Sequence, residues 1–587
     1  MIQHIFRLLI ALTLSFSAFL ATAQEATLNP AWQFLQDDSL DVKALEGATG
    51  WRLVNLPHTW NRYDAFDEEE GYKRGVGWYR KTLYLPRTEN NRLFLKFEGA
   101  NQHTTIYVNG KKAGEHAGGY TAFVVDITAQ AMLDAGNTIV VKVDNRYDKA
   151  IPPLSADFTF YGGIYRDLWL LRKPEQFFDL TDGSTKGVYL STPKISEEHA
   201  QLRVLAKVRN TSVENQALTI AARLFSPDGA LIEERSKKIN VGAGLSGQQE
   251  IIFEINKPKL WTPARPVLYR VEVGLIDPKG QTLDSFTARR GFRWVKMDES
   301  RALLLNGKPL KLIGTNHHQD YPGLGNALPD ELHRRDIRIL KDMGANFLRV
   351  SHYPQDPALL DACDELGILA WEEIPIVNSI TVSDAFKINS VQMLREMIRQ
   401  HYNHTSIIIW GFMNEVLLRV NNGLQDNPWI EEKAYVREVE KLAAALNAIA
   451  KEEDPSRWTA IAHHGNYKLY EDAGMNEITD IVGWNLYYGW YSANMPEAGE
   501  FLGRFHEDHP DKGIIIAEYG GGSDPRLHAI EPKRFDFSIE WQTAIHASYY
   551  QQMLAHPYIM GGAVWNFADF GSEGRKDAVP HINSKGI

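Results

Sequence analysis

Cysteine is almost absent: Cys363 is the only one in 587 residues. A chain with one thiol has no internal disulfide and no cysteine-based metal cluster, so its stability must come from packed apolar cores. Long apolar runs are equally scarce, and beyond the first two dozen residues none is long enough to cross a bilayer as a helix. Basic stripes are missing too. The net charge is −11, which gives a phosphate backbone no electrostatic footprint and argues against nucleic acid as a partner. No His-Glu-x-x-His motif and no Gly-x-Ser-x-Gly elbow occurs, removing two common signatures of hydrolytic chemistry. Internal repeats and low-complexity segments are also lacking.

The length calls for two to four domains. Met1 to Ala23 reads as a signal peptide, with Arg7 as the charge, Leu8 to Leu20 as the apolar segment and Ala21-Thr22-Ala23 as the cleavage site. We expect cleavage before Gln24 and export to the periplasm or medium. The apolar run is short for a membrane anchor, and no cysteine follows it to carry a lipid. From 24 to 180, short β-type runs such as Arg92–Phe97 and Thr104–Val108, the latter before an Asn109-Gly110 turn, imply a β-sandwich. From 181 to 294, alternation in Leu202–Val208 and Tyr269–Val273 implies a second, immunoglobulin-like sandwich.

The rhythm changes at about 295, where apolar runs alternate with stretches of helical period, as βα units around a parallel sheet require. Candidate strands are Leu310–Gly314, Phe347–Ser351, Ile368–Trp371, Ile407–Phe412, Thr459–His463, Ile481–Leu486, Ile514–Ala517 and Gly562–Trp565. Eight fit a (β/α)8 TIM barrel over 295–587. Among its helices, one spans Asp330 to Met343 and stops at Gly344, and another starts at Ser390 as cap. The chain leaves no room for a last helix after strand eight, and we expect the barrel to be truncated.

Catalytic groups of such a barrel belong at the carboxyl ends of its strands. The fourth candidate strand runs into Asn414-Glu415, and the seventh into Glu518-Tyr519-Gly520. A carboxylate directly after a buried apolar strand is desolvated, which raises its proton affinity unless it is paired. Each alone is as well explained as an ion-pair partner. Two at one barrel mouth form the acid/base and nucleophile pair of glycoside hydrolysis.

Trp410-Gly411-Phe412-Met413-Asn414-Glu415 and Ala517-Glu518-Tyr519-Gly520 resemble the acid/base and nucleophile signatures of glycoside hydrolase family 2. The stretches Tyr161–Asp167, Gly314–Asp320, Arg349–Pro354, Tyr487–Tyr491 and Trp565–Phe570 resemble further motifs of that family. The resemblance implies a jelly-roll sugar-binding domain, an immunoglobulin-like domain and a catalytic barrel. It implies Glu415 as proton donor and base, and Glu518 as nucleophile. It further implies that Asn414 bonds the sugar 2-hydroxyl, that His318 and His352 contact substrate, and that Trp565 is an apolar platform. Arg349 and Tyr487 would flank Glu518, the first holding it ionised. Asp157 would reach the site from the first sandwich, and Glu372 and Glu373 would tune the pair or bind Arg349. No cofactor is implied as required, although some family members keep a divalent cation near the acid/base. No metal ligand set is evident here.

The expected partner is a β-linked oligosaccharide or glycoside, cut from its non-reducing end with retention. Galactose stands first, because family β-galactosidases resemble Trp484–Trp490 and the Asn583–Ile587 end. Glucuronic acid is the rival, because Asn583-x-Lys585 resembles the pair with which β-glucuronidases hold a carboxylate. A barrel that binds carbohydrate without cutting it is the reading from another class. No membrane partner is expected, and a homo-oligomer is compatible with everything above.

Overall fold

The computed structural model describes residues 24–587, apart from 68, 70, 90 and 493. The expected signal segment lies outside the described residues.

The first block is a sandwich of two antiparallel sheets. One has four strands, ordered Gln24–Thr27, Leu168–Lys173, Arg92–Phe97 and Phe123–Asp126; the other has six. Their inward faces bury Trp32, Phe34, Leu95, Ile106, Val141 and Ile164. The Asn109-Gly110 turn has φ of 53° and 76° and joins His103–Val108 to Lys111–Ala117. Two successive positive-φ residues are what a tight hairpin with right-handed strand twist demands.

The second block pairs two four-stranded antiparallel sheets. Its strand His199–Asn210 buries every second residue from Ala200 to Asn210, so its hydrophobic period of two is read directly as a core face.

The third block is a closed parallel barrel of eight strands. We number them β1 (Leu312–His317), β2 (Phe347–Val350), β3 (Leu369–Glu373), β4 (Ile407–Asn414), β5 (Trp458–His464), β6 (Ile481–Asn485), β7 (Gly513–Tyr519) and β8 (Ile559–Val564). Closure comes from β8 pairing with β1, Leu312 opposite Gly561. Gly314 has no room for a side chain, since a Cβ would lie 1.7 Å from the Phe347 carbonyl oxygen. After β8 the described chain forms one short pairing, Phe570–Gly571 with Ile582–Asn583, and no helix.

The helix at Asp330–Asp342 matches its expected span. The helix expected to start at Ser390 instead spans Asp384–His401, capped by Ser383, whose side chain accepts from the Phe386 amide. Ser390 lies within it and donates its hydroxyl to the Phe386 carbonyl at 2.8 Å. Both serines precede apolar residues, but only Ser383 has the extended backbone a cap needs.

The first sandwich is bolted to the barrel mouth. Tyr161 donates to Asp320 at 2.7 Å, and Arg166 donates to the Pro354 carbonyl at 2.6 Å. Its loop 155–160 thereby reaches the carboxyl ends of the strands.

Candidate active site

A cavity of about 1110 Å³ opens at those carboxyl ends. Glu415 and Glu518 both line it, with His352, Asn414, Tyr487, Trp565 and Asp157.

Glu518 ends the apolar run of β7, and its carboxylate is buried. Arg349, at the third position of β2, donates to its Oε1 at 2.8 Å; Tyr487 donates to its Oε2 at 2.8 Å. Each carboxylate oxygen is thus held by one donor, one of them charged, which fixes its direction. Arg349 is fully buried and shared: it also grips Glu373 by two bonds, of 3.1 and 2.8 Å, and donates to Asn414 Oδ1 at 2.9 Å. Burial acts to raise the Glu373 pKa, but Arg349 and His352 take it below the usual carboxylate range. Glu372 points the other way, pairing with His401 at 2.8 Å and leaving Arg349 to Glu373. That alternation is the pleat of β3.

Glu415 sits one residue past β4 with φ of +49°. A non-glycine residue in the left-handed region carries strain, and here it turns the chain so that the side chain enters the cavity. Its one side-chain hydrogen bond comes from Asn485 Nδ2 at 2.9 Å, an amide that also donates to Asn414 at 3.1 Å. Burial, and next the neighbouring Glu518 carboxylate, push the Glu415 pKa up to about 8. The two acids therefore differ in kind: one is gripped by a guanidinium, the other is mostly desolvated and holds a proton at neutral pH.

His352 and Trp565 stack, with ring centroids 5.0 Å apart and planes 20° apart, and form an apolar wall. His318 does not line the cavity, contrary to the expectation that it contacts substrate. Its ring is buried behind that wall, tilted over Phe570 at 4.3 Å and bonded through Nδ1 to the Tyr353 hydroxyl at 2.9 Å. A ring enclosed by Phe158, Trp565 and Phe570 packs as an aromatic core residue.

Asp157 reaches the cavity on the sandwich loop. It accepts from Arg575 Nε at 2.8 Å, from Asn583 Nδ2 at 3.1 Å, and from the Ser572 hydroxyl. Asn583 and Lys585 are buried and, like His318, do not line the cavity, although both were expected to contact substrate; they reach its lining through Asp157 and Tyr491. The Lys585 ammonium donates to the Tyr491 hydroxyl oxygen at 3.1 Å, and Arg575 Nη1 donates to the same oxygen at 3.2 Å. Among the described residues, no carboxylate lies in salt-bridge range of Lys585. Asn485, Arg575, Ser572 and the role of Tyr491 were not foreseen. Asn485 ends β6 and was open to discovery by the strand-end rule; Arg575 lies in a loop whose composition reads as a solvated turn.

A closed barrel with two unlike glutamates at its mouth, beside an aromatic wall and a roomy cavity, defines a glycoside hydrolase. Comparison narrows the class. Residues 295–584 match "Glycosyl hydrolases family 2, TIM barrel domain", residues 187–293 match "Glycosyl hydrolases family 2", and residues 58–174 match that family's sugar binding domain. The chain belongs to glycoside hydrolase family 2. It is 36% identical over 583 residues to a β-glucuronidase of Bacteroides fragilis, covering 97% of this chain and 79% of that one. A β-galactosidase of Thermoanaerobacter pseudethanolicus is 33% identical over 466 residues, covering 78% and 57%. The crystal structure of a Bacteroides uniformis β-glucuronidase superposes with a TM-score of 0.91 at 44% identity, covering 96% of this chain and 67% of that one. The structure of Bacteroides uniformis β-glucuronidase 2 covalently bound to cyclophellitol-6-carboxylate aziridine superposes with the same TM-score of 0.91 at 44% identity, covering 96% of this chain and 67% of that one.

Proposed function

We propose that the protein is a retaining exo-β-glucuronidase. The observation that carries the reading is the convergence of Lys585 and Arg575 on one phenol oxygen, that of Tyr491. Two cations donating to one hydroxyl oxygen leave its O–H free to donate, so three donors face the same region. A hexuronate offers a carboxylate there, and galactose offers only a neutral hydroxymethyl group. The buried ammonium has no anion of its own, and binding a carboxylate supplies one. The galactose expectation yields to this charge argument and to the names of the more similar relatives.

In the proposed reaction, Glu518 attacks the anomeric carbon, and the C–O bond to the leaving group breaks as Glu415 gives that oxygen its proton. Glu415, now a carboxylate, takes a proton from water, whose oxygen displaces Glu518 and restores the acid with configuration retained. Arg349 and Tyr487 orient the nucleophile, Asn414 offers its amide to the sugar, and His352 with Trp565 forms the platform. Asp157 and Asn583 act at one remove by holding Arg575 and each other.

The test compares nitrophenyl β-glucuronide with nitrophenyl β-galactoside on one enzyme preparation. We expect the glucuronide to be favoured by a factor of at least about 100, the scale of one or two charge-assisted bonds. Equal rates, or a galactoside preference, would defeat the reading. We also propose export of the mature chain; its recovery only from cytosol after cell fractionation would contradict that.

A further inference from the structure

The cavity is too large for one sugar ring: about 1110 Å³ exceeds the roughly 300–1,000 Å³ of a site for a drug-sized ligand. Its deep end holds the buried Glu518 and Trp565, and its outer part is lined by the exposed residues Arg419, Asn422 and Lys576. The outer part must therefore receive the leaving group. Arg419 stands four residues past Glu415, on the loop that carries the group facing the leaving oxygen in the mechanism above.

Charges at this rim balance in number, with Asp157, Glu573 and Asp577 against Arg419, Arg575 and Lys576, but not in pairing. Its acids are already engaged: Asp157 and Asp577 share Arg575, the first at 2.8 Å and the second at 3.2 Å, and Glu573 lies 3.3 Å from His581 and accepts from the Gly71 amide. Among the described residues neither Arg419 nor Lys576 has a salt bridge, and neither side chain makes a hydrogen bond. Two cations without partners therefore line the mouth of the reactive cavity, free to meet an anion. An exposed lysine or arginine elsewhere is an ordinary solubilising charge; these two share one opening with the proton donor.

We propose that Arg419 and Lys576 form a leaving-group subsite for an anionic sugar, one bearing a sulfate or a carboxylate. The inference rests on the reading of Glu415 as the acid. It extends that reading from the sugar removed to the chain from which it is removed.

Three disaccharides test it, each with β-glucuronic acid at the non-reducing end: one with a neutral second sugar, one with that sugar sulfated, one with a uronate in its place. Preference for an anionic over the neutral disaccharide in kcat/KM should be about fivefold at low salt, as two solvent-exposed ion pairs allow, and should shrink at 0.5 M NaCl. Sulfate and uronate arms show which anion fits. R419A and K576A should each reduce the anionic-to-neutral ratio, and the double variant should bring it to about one. A wild-type ratio of one, or a ratio unmoved by both substitutions, overturns the proposal. Failure to cleave even nitrophenyl β-glucuronide would instead overturn the underlying reading, and the inference with it.

Discussion

Replacing Lys585 with methionine isolates the charge on which the substrate reading depends. The Lys585 side chain is 2% exposed, and its ammonium touches one hydroxyl and the faces of Tyr487 and Tyr491, with its Nζ 6.0 and 5.3 Å from the ring centroids. Methionine keeps the length and apolar stem of the side chain, so the packing is preserved. In the free enzyme the substitution removes a desolvated cation that has no anion, which is neutral or favourable for stability. With a uronate bound it removes one charge-assisted hydrogen bond, worth about 1.5–3 kcal/mol. Arg575 and Tyr491 remain, so the loss in kcat/KM on nitrophenyl β-glucuronide should be about 10- to 150-fold. On the galactoside, which has no carboxylate, the same variant should lose little or gain, and the unfolding midpoint should hold or rise. The decisive quantity is the ratio of the two substrates between wild type and variant. Parallel loss on both, with an intact fold, would refute the carboxylate assignment.

Other consequences follow from the same geometry. Because Glu415 holds its proton up to about pH 8, kcat/KM for poorly activated glycosides should fall above that pH. Glu415→Gln should abolish that limb while sparing activated leaving groups, and a limb that persists in the variant would assign the proton elsewhere. The sign for stability runs the same way: the folded carboxyl binds its proton more tightly than the unfolded one, so this group lowers stability as pH rises from about 4.5 to about 8. Asn485→Leu deletes the hydrogen bond that lowers the Glu415 pKa and should move the alkaline limb upward; a downward move in the pH profile would contradict the assignment. Arg349→Met leaves Glu373 and Glu518 buried without their cation and should cost about 3–5 kcal/mol in urea unfolding. A cost below about 1 kcal/mol would mean that the arginine is no clamp.

What was legible in the residues depended on whether a signal was local. Most barrel strands announce themselves as apolar runs, because a parallel strand covered on both faces needs no polar alternation, and the polar exceptions, such as Arg349 in β2, belong to the site. Glu415 and Glu518 were legible because a carboxylate ending such a run has a desolvation cost that must be explained. Ser390 misled because a serine before an apolar stripe looks the same inside a helix as at its cap. His318 misled because strand ends also anchor core aromatics. Arg575 had no local mark at all: its partner Asp157 is 418 residues away, and only the docking of sandwich on barrel joins them. Asn485 stood at a strand end, but an uncharged amide carries no desolvation cost of the kind that marked the glutamates, although its amide is the single side-chain hydrogen-bond donor on Glu415.

The difference between the two glutamates is made by their neighbours rather than by their own positions. Both follow buried strands, and burial raises the proton affinity of Glu415. The barrel supplies one guanidinium between them, and β2 aims it at Glu518 and Glu373, while Glu415 receives only a neutral amide. The cation is thus engaged on the side where charge must persist, and the Glu518 carboxylate it holds is the second contribution that keeps Glu415 protonated. Acid and nucleophile are therefore coupled. In the proposed cycle, once Glu518 is consumed in a covalent bond its negative charge is gone, so Glu415 loses the repulsion that raised its proton affinity. It gives up its proton more readily at the moment the leaving oxygen needs one, and it stays ionised when water must be activated. On the proposed reading, one buried arginine placed off-centre serves both halves of the cycle with the same acid.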